Sequence, residues 1–212
     1  MLIDPRLEEY ILSNTSKEDP LLAELRRETH LKVLNPRMLS GHPQGKLLEM
    51  ISKMLSPNKI LEIGTYTGYS GICLARGLKK GGHLHTIEVN DEITRFPKKY
   101  FEKAGLSGST TIHCGDALKI IPALNETFDL VFIDADKKQY LDYFNLCIKK
   151  MPSGGILLAD NVLWSGKVLK QADINDPETQ SILEFNKAMV SDSRVETIIL
   201  PIRDGISIVR KV

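Results

Sequence analysis

The stretch Lys59-Ile60-Leu61-Glu62-Ile63-Gly64-Thr65-Tyr66-Thr67-Gly68-Tyr69-Ser70 (59–70) leads from an apolar run, through two glycines, into a segment of helical spacing. It predicts a buried strand, a tight turn and a helix start. Downstream the theme repeats. HLHTIEV (83–89), TTIHC (110–114), FDLVFIDA (128–135) and GGILLAD (154–160) are short apolar runs, and 69–78, 91–104, 117–124 and 139–150 between them read as amphipathic helices. Alternating strands and helices at this spacing make βαβ units, and hence a parallel sheet covered on both faces. A last helix over 177–191 precedes RVETIILPI (194–202) and GISIVRK (205–211). Arg203-Asp204-Gly205 is too short for a crossover between parallel strands, so these two strands form an antiparallel hairpin.

The expected fold class is therefore α/β, a Rossmann-like doubly wound sheet of seven mostly parallel strands with an antiparallel last strand. Extra helices precede it. Asp4-Pro5 and Asp19-Pro20 each offer a capping carboxylate followed by proline at the first helical position. A third helix over 44–55 would bury Leu47, Leu48, Ile51, Met54 and Leu55. The chain reads as one domain, with a helical part (1–56) and a sheet-based core (57–212).

Bulk properties narrow the function. At 42% hydrophobic and 26% charged the chain is an ordinary globular protein. Its 28 Lys and Arg nearly cancel 27 Asp and Glu, so no overall field recruits nucleic acid or an anionic membrane. Asp4, Arg6, Glu8 and Glu9 interrupt any apolar leader, and no apolar run is long enough to span a bilayer. Cys73, Cys114 and Cys147 are isolated and odd in number, which points to reduced thiols in a cytoplasmic protein rather than disulfides or a zinc knuckle.

Ligands of open α/β sheets bind beyond the carboxyl ends of the strands, so those ends carry the chemistry. Gly64 and Gly68 let the backbone approach an anion, a phosphate or a carboxylate, although a plain strand-to-helix turn needs glycine too. The loop is not the dinucleotide fingerprint, because Tyr66 stands where its middle glycine belongs, and it lacks the Gly-Lys-Ser/Thr of a P-loop. Glu88, about twenty residues on, suits a ribose diol or simply a solvated surface. Asp116 and Ala117 leave room for a flat base, or cap a helix. The fourth and fifth strands end in Asp134 and in Asp160-Asn161. If those strands are neighbours, three oxygen donors converge as a hard cation requires; otherwise the acids cap turns. Lys137 could then act as a base, its ammonium form disfavoured beside a cation, or else stand as an exposed lysine.

Together these stretches resemble the cation-dependent O-methyltransferases, the group that contains catechol and caffeoyl-CoA O-methyltransferases. LEIGTYTGYS, TIEV, GDAL, FIDADK, LADNVLW and RDGI occur in that family's order and approximate spacing, from about Asn35 to the C-terminus. The resemblance implies methyl transfer from S-adenosylmethionine to a hydroxyl of a catechol-like or other vicinal-hydroxyl small molecule. It implies that Ser40 touches the methionine part of the cofactor; that Glu62, Gly64, Thr65, Gly68 and Ser70 hold its amino-acid moiety; that Glu88 holds the ribose; and that Asp116 and Ala117 hold the adenine. Asp134, close to the cofactor as well, joins Asp160 and Asn161 as ligands of Mg²⁺ (or Mn²⁺ or Ca²⁺), and Lys137 is the catalytic lysine. A homodimer is implied as well.

Ser165 replaces the asparagine that follows LW in the plant enzymes, so the plant acceptor does not carry over. Trp164 and Ser165 are candidates to touch substrate, though Trp164 could equally pack in the core. The polar insert 166–180 is a candidate lid. Three rivals stand beside this reading: a tRNA 5-hydroxyuridine methyltransferase, served by a basic face of Arg26, Arg27, Lys32 and Arg37; an NAD-dependent oxidoreductase on a similar sheet; and a non-catalytic binding module that retains the fold.

Overall fold

The computed structural model describes residues 4–169 and 176–212. Asp4 and Asp19 cap α1 (Pro5–Ser13) and α2 (Pro20–Lys32), each carboxylate accepting a backbone N–H two residues on. In α3 (His42–Leu55) the buried stripe differs from the expected one. Leu48 and Ile51 are buried, Leu47 is half-buried, and Met54 and Leu55 are exposed. Polar Gln44 and Ser52 are also buried, because each has a partner across the interface: Ser52 donates to the Leu74 carbonyl at 2.6 Å, and Gln44 reaches the site described below.

The seven strands are β1 (Lys59–Ile63), β2 (His83–Glu88), β3 (Thr110–Cys114), β4 (Leu130–Ile133), β5 (Ile156–Asp160), β6 (Val195–Leu200) and β7 (Ile206–Lys211). They form one sheet in the order β3-β2-β1-β4-β5-β7-β6. All pairings are parallel except those of β7, which runs antiparallel between β5 and β6. The expected fold and the closing hairpin are thus borne out.

Side chains alternate across the sheet and build two cores. Leu61, Ile63, Val131 and Ile133 face α6 (Ala117–Ala123), α7 (Tyr140–Cys147) and α8 (Pro177–Ser191), burying Ile121, Phe144 and Phe185. Ile60, Leu130, Phe132 and Leu158 face the other layer, α2 and α3 with α4 (Tyr69–Ala75) and α5 (Arg95–Lys103). Of the N-terminal helices, α2 and α3 are therefore part of a covering layer, while α1 stays exposed. Fully burying one such Leu or Phe contributes about 1.5–3 kcal/mol.

Helix ends depart from expectation. The helix expected over 91–104 is a short 3-10 turn (Asp91–Ile93) followed by α5, which starts at Arg95 and so keeps Pro97, with no N–H to donate, in its first turn. The helix expected over 69–78 stops at Ala75, two residues before Gly77, whose α-carbon packs so closely on Ser52 that a side chain there would fall 2.2 Å from its hydroxyl.

Register sets up the site. Ile63 pairs with both Ile87 and Ile133, and Ile133 pairs with Ala159. The next residues, Gly64, Glu88, Asp134 and Asp160, therefore stand side by side at one rim, with neighbouring strands about 4.8 Å apart. Between β1 and β4 the strand order reverses, and the loops diverge to open a crevice.

Candidate active site

A cavity of about 1200 Å³ opens at that crevice. Single-ligand pockets run to about 1,000 Å³, so it has room for a cofactor and an acceptor together. Ser40, Gly64, Thr65, Ser70, Glu88, Asp116, Ala117, Asp134, Lys137, Asp160, Asn161 and Trp164 all reach its wall. Glu62, Gly68 and Ser165 do not. Glu62 is fully buried behind the wall, and Gly68 backs onto Pro97 and Phe101. Ser165 is exposed, its N–H turned to Asp204 Oδ1.

The loop after β1 is built on buried polar contacts. Thr65 and Thr86 hydroxyls meet at 2.6 Å, and Thr86 donates to Glu62 Oε2 at 2.5 Å. Among the described residues Glu62 Oε1 has no partner, and burial pushes the carboxyl up to about 7, with Asp134 and Glu88 adding to the rise. Gly64 has φ +103°, and a β-carbon there would fall 2.0 Å from the Asp134 carbonyl oxygen, so no other residue fits this crossing of β1 and β4. Glu88 accepts the backbone N–H groups of Tyr66 (2.7 Å) and Asn90 (3.0 Å), which hold its carboxylate at the rim. Asp116 caps α6 through Leu118 N–H at 2.9 Å and also faces the cavity.

At the far side, Asp134 and Asp160 end adjacent strands. Burial first, and then the Asp134 charge, raises the Asp160 carboxyl above its ordinary range. Two carboxylates forced together at a buried rim, with the Asn161 amide beside them, make an all-oxygen donor set that fits a hard divalent cation. No group of three or more His, Cys, Asp or Glu suited to a metal occurs among the described residues, so a cation here would be held by the two carboxylates with Asn161 or water completing its shell. Lys137 is buried, with Nζ 3.0 Å from Asp134 Oδ1 and 2.7 Å from the Tyr140 hydroxyl. Tyr140 in turn donates to the Asp160 carbonyl at 3.0 Å. Burial, with Asp134 and Asp160 nearby, raises its pKa well above the usual phenol, so it remains a donor. Trp164 lines the cavity and also packs on the core, and its buried Nε1 lacks a partner among the described residues. Residues 170–175 of the candidate lid lie outside the described residues.

Three functional candidates escaped sequence reasoning: Tyr140, Gln44 and Arg203. Tyr140 could have been found at its three-residue spacing from Lys137. Gln44 donates to Asp160 Oδ2 at 2.8 Å, and Arg203 Nη1 donates to Gln44 Oε1 at 2.8 Å. Partners 116 and 159 residues apart leave no local signal.

The match to known proteins decides the class. The family model described as O-methyltransferase matches residues 12–212. The chain belongs to the O-methyltransferase family. It is 32% identical to the caffeoyl-CoA O-methyltransferase of Petroselinum crispum, over all of this chain and 93% of that one. It is 37% identical to the catechol O-methyltransferase of Niastella koreensis, over 74% and 72%. The solved structure of the O-methyltransferase TomG from Streptomyces achromogenes, involved in tomaymycin synthesis and in complex with SAM, superposes with a TM-score of 0.90 at 31% identity, covering both chains completely. The expected enzyme class is borne out: the chain is an S-adenosylmethionine-dependent O-methyltransferase.

The basic face proposed for RNA is partly neutralised, since Arg26 pairs with Glu18 at 2.9 Å and Lys32 with Glu28 at 2.7 Å, while Arg37 lines the cavity. Cys73, Cys114 and Cys147 are free thiols. Among the described residues no helix is long and apolar enough to cross a membrane.

Proposed function

We propose that this O-methyltransferase methylates a hydroxyl of a catechol-like or other vicinal-hydroxyl small molecule, with a divalent cation held by Asp134, Asp160 and Asn161. The observation that carries the reading is the sharing of one cavity by two complementary walls: Gly64, Thr65, Glu88 and Ala117 on one side, and the three oxygen donors with Lys137 on the other. Ser40, Thr65, Ser70 and the Gly64 backbone would hold the amino-acid end of S-adenosylmethionine, Glu88 its ribose, and Asp116 with Ala117 its adenine. Glu62 and Gly68 shape the loop from behind.

The reaction is a displacement: an oxygen–carbon bond forms as the carbon–sulfur bond breaks, S-adenosylhomocysteine leaves, and the hydroxyl proton must be taken up. A divalent cation, when bound, supplies the charge that lowers the pKa of vicinal hydroxyls and orients them. Lys137 receives the proton. Its amine is steered by the Tyr140 hydroxyl, which is itself fixed to the backbone of Asp160. Trp164 walls the acceptor side. The enzyme works as a homodimer, an inference from family likeness that light scattering checks.

The test is transfer of labelled methyl from S-adenosylmethionine to a catechol panel and to bulk tRNA, before and after chelation. Methylated catechols that vanish with chelator and return with Mg²⁺ support the reading. Transfer that ignores chelation overturns the cation, and transfer to tRNA alone overturns the substrate class.

A further inference from the structure

Asp160 has both carboxylate oxygens engaged from the protein side. Oδ1 accepts the Asn161 N–H at 2.8 Å, and Oδ2 accepts Gln44 Nε2 at 2.8 Å. Each oxygen has a second lone pair, so these bonds fix the carboxylate plane without using it up. Gln44 itself is fully buried in the first turn of α3. An amide has a direction, and here its surroundings set it: Oε1 faces the Arg203 guanidinium, so Nε2 must face the carboxylate. The flipped amide would set oxygen against carboxylate and N–H against guanidinium, two repulsions in place of two bonds.

Arg203 reaches this place from the β6–β7 turn, with φ +50°, a left-handed conformation that an arginine adopts only where its surroundings hold it. Its Nη1 also donates to the Leu39 carbonyl at 3.1 Å and to the Ser40 carbonyl. One guanidinium thus joins the closing hairpin, the segment carrying Ser40, and the amide that grips Asp160.

We infer that Gln44, oriented by Arg203, is a positioning residue that sets the Asp160 carboxylate for cation binding. The inference rests on the cation reading above. Partners that orient a ligating carboxylate change metal affinity by about 10–100-fold when removed. Arg203 acts on the cation through Gln44, so the two residues behave as one unit there. On the cofactor side Arg203 acts alone, through the carbonyls of Leu39 and Ser40.

The experiment measures Mn²⁺ binding by electron paramagnetic resonance, and S-adenosylhomocysteine binding by calorimetry with chelator present. The proteins are wild type, Gln44→Met, Arg203→Met and the double variant, each checked by thermal unfolding. Gln44→Met should weaken Mn²⁺ by about 10–100-fold and leave S-adenosylhomocysteine affinity within about twofold, which also shows that the variant is folded. Arg203→Met should weaken both ligands, and the double variant should bind Mn²⁺ no worse than the weaker single one. Gln44→Met binding Mn²⁺ as tightly as wild type, or fully additive losses, would overturn the inference and spare the cation reading. A wild-type protein that binds no Mn²⁺ would remove both.

Discussion

Replacing Gly64 by alanine tests the crossing on which the site is built. The new β-carbon would lie 2.0 Å from the carbonyl oxygen of Asp134. An ordinary carbon–oxygen contact is about 3.3 Å, so the ends of β1 and β4 must part by about 1.3 Å. That movement stretches the bond from Asp134 N–H to the Ile63 carbonyl, now 2.9 Å, past hydrogen-bonding distance. Losing a buried backbone bond costs about 1–3 kcal/mol, and holding a side chain at φ +103° costs about 1–3 kcal/mol more. The sum of about 2–6 kcal/mol lowers Tm by about 4–24 °C for a chain of this length. Gly154→Ala is the control, because Gly154 has φ +82° with nothing within 4 Å, so only the conformational cost of about 1–3 kcal/mol applies. Thermal and urea unfolding of both variants, with S-adenosylhomocysteine titrations, read the difference. Gly64→Ala should be the less stable and should bind the cofactor product at least about tenfold more weakly, since the clash moves Asp134. Equal stability losses in the two variants would refute the steric argument.

Three further outcomes are expected. Lys137→Ala should lower kcat by about 10²–10⁴-fold with S-adenosylhomocysteine affinity nearly unchanged, and an unaltered kcat would remove Lys137 from proton transfer. Tyr140→Phe keeps the buried ring but frees the lysine amine, and should lower kcat by about 10–100-fold, with the lost buried hydrogen bond costing about 1–3 kcal/mol and lowering Tm by about 2–12 °C; full activity would show that Lys137 needs no such guide. Glu62 is held near 7 when folded against 4.5 ordinarily, so between these values the unfolded state loses its proton first, and stability falls as pH rises through this window. Glu62→Gln should flatten that fall relative to wild type in urea titrations from pH 4.5 to 7, and parallel curves would exclude Glu62 as its source.

The sheet was legible because buried strands and their rim residues are written locally. LVFI ending at Asp134, and ILLA ending at Asp160, announce both the strand and the group it delivers, and flush parallel register then brings the groups together. Helix ends were less legible, since Pro97 and the contact of Gly77 with Ser52 decide them and neither shows in periodicity. The stripe of α3 was misread for a related reason. Apolar spacing favoured Met54 and Leu55 over Gln44 and Ser52, but a polar side chain with a guaranteed partner costs little to bury, and the last turn of α3 lies beyond the covered face.

That misreading bears on how the molecule works. Helices α2 and α3 carry no stretch that resembles catalytic machinery, yet they pack against the same sheet face as α4 and α5, and α3 with the segment before it contributes Ser40 and Gln44 to the cavity and its support. Their attachment to the far end of the chain runs through Arg203, which can reach them only because β7 returns antiparallel beside β5 and sets the β6–β7 turn at the same rim as Asp160. Had the chain closed with a parallel strand, the preceding connection would have entered at the opposite rim, and Gln44 would have had no guanidinium to orient it. The reversed strand is thus what allows residues from both ends of the chain to act on a carboxylate in the middle.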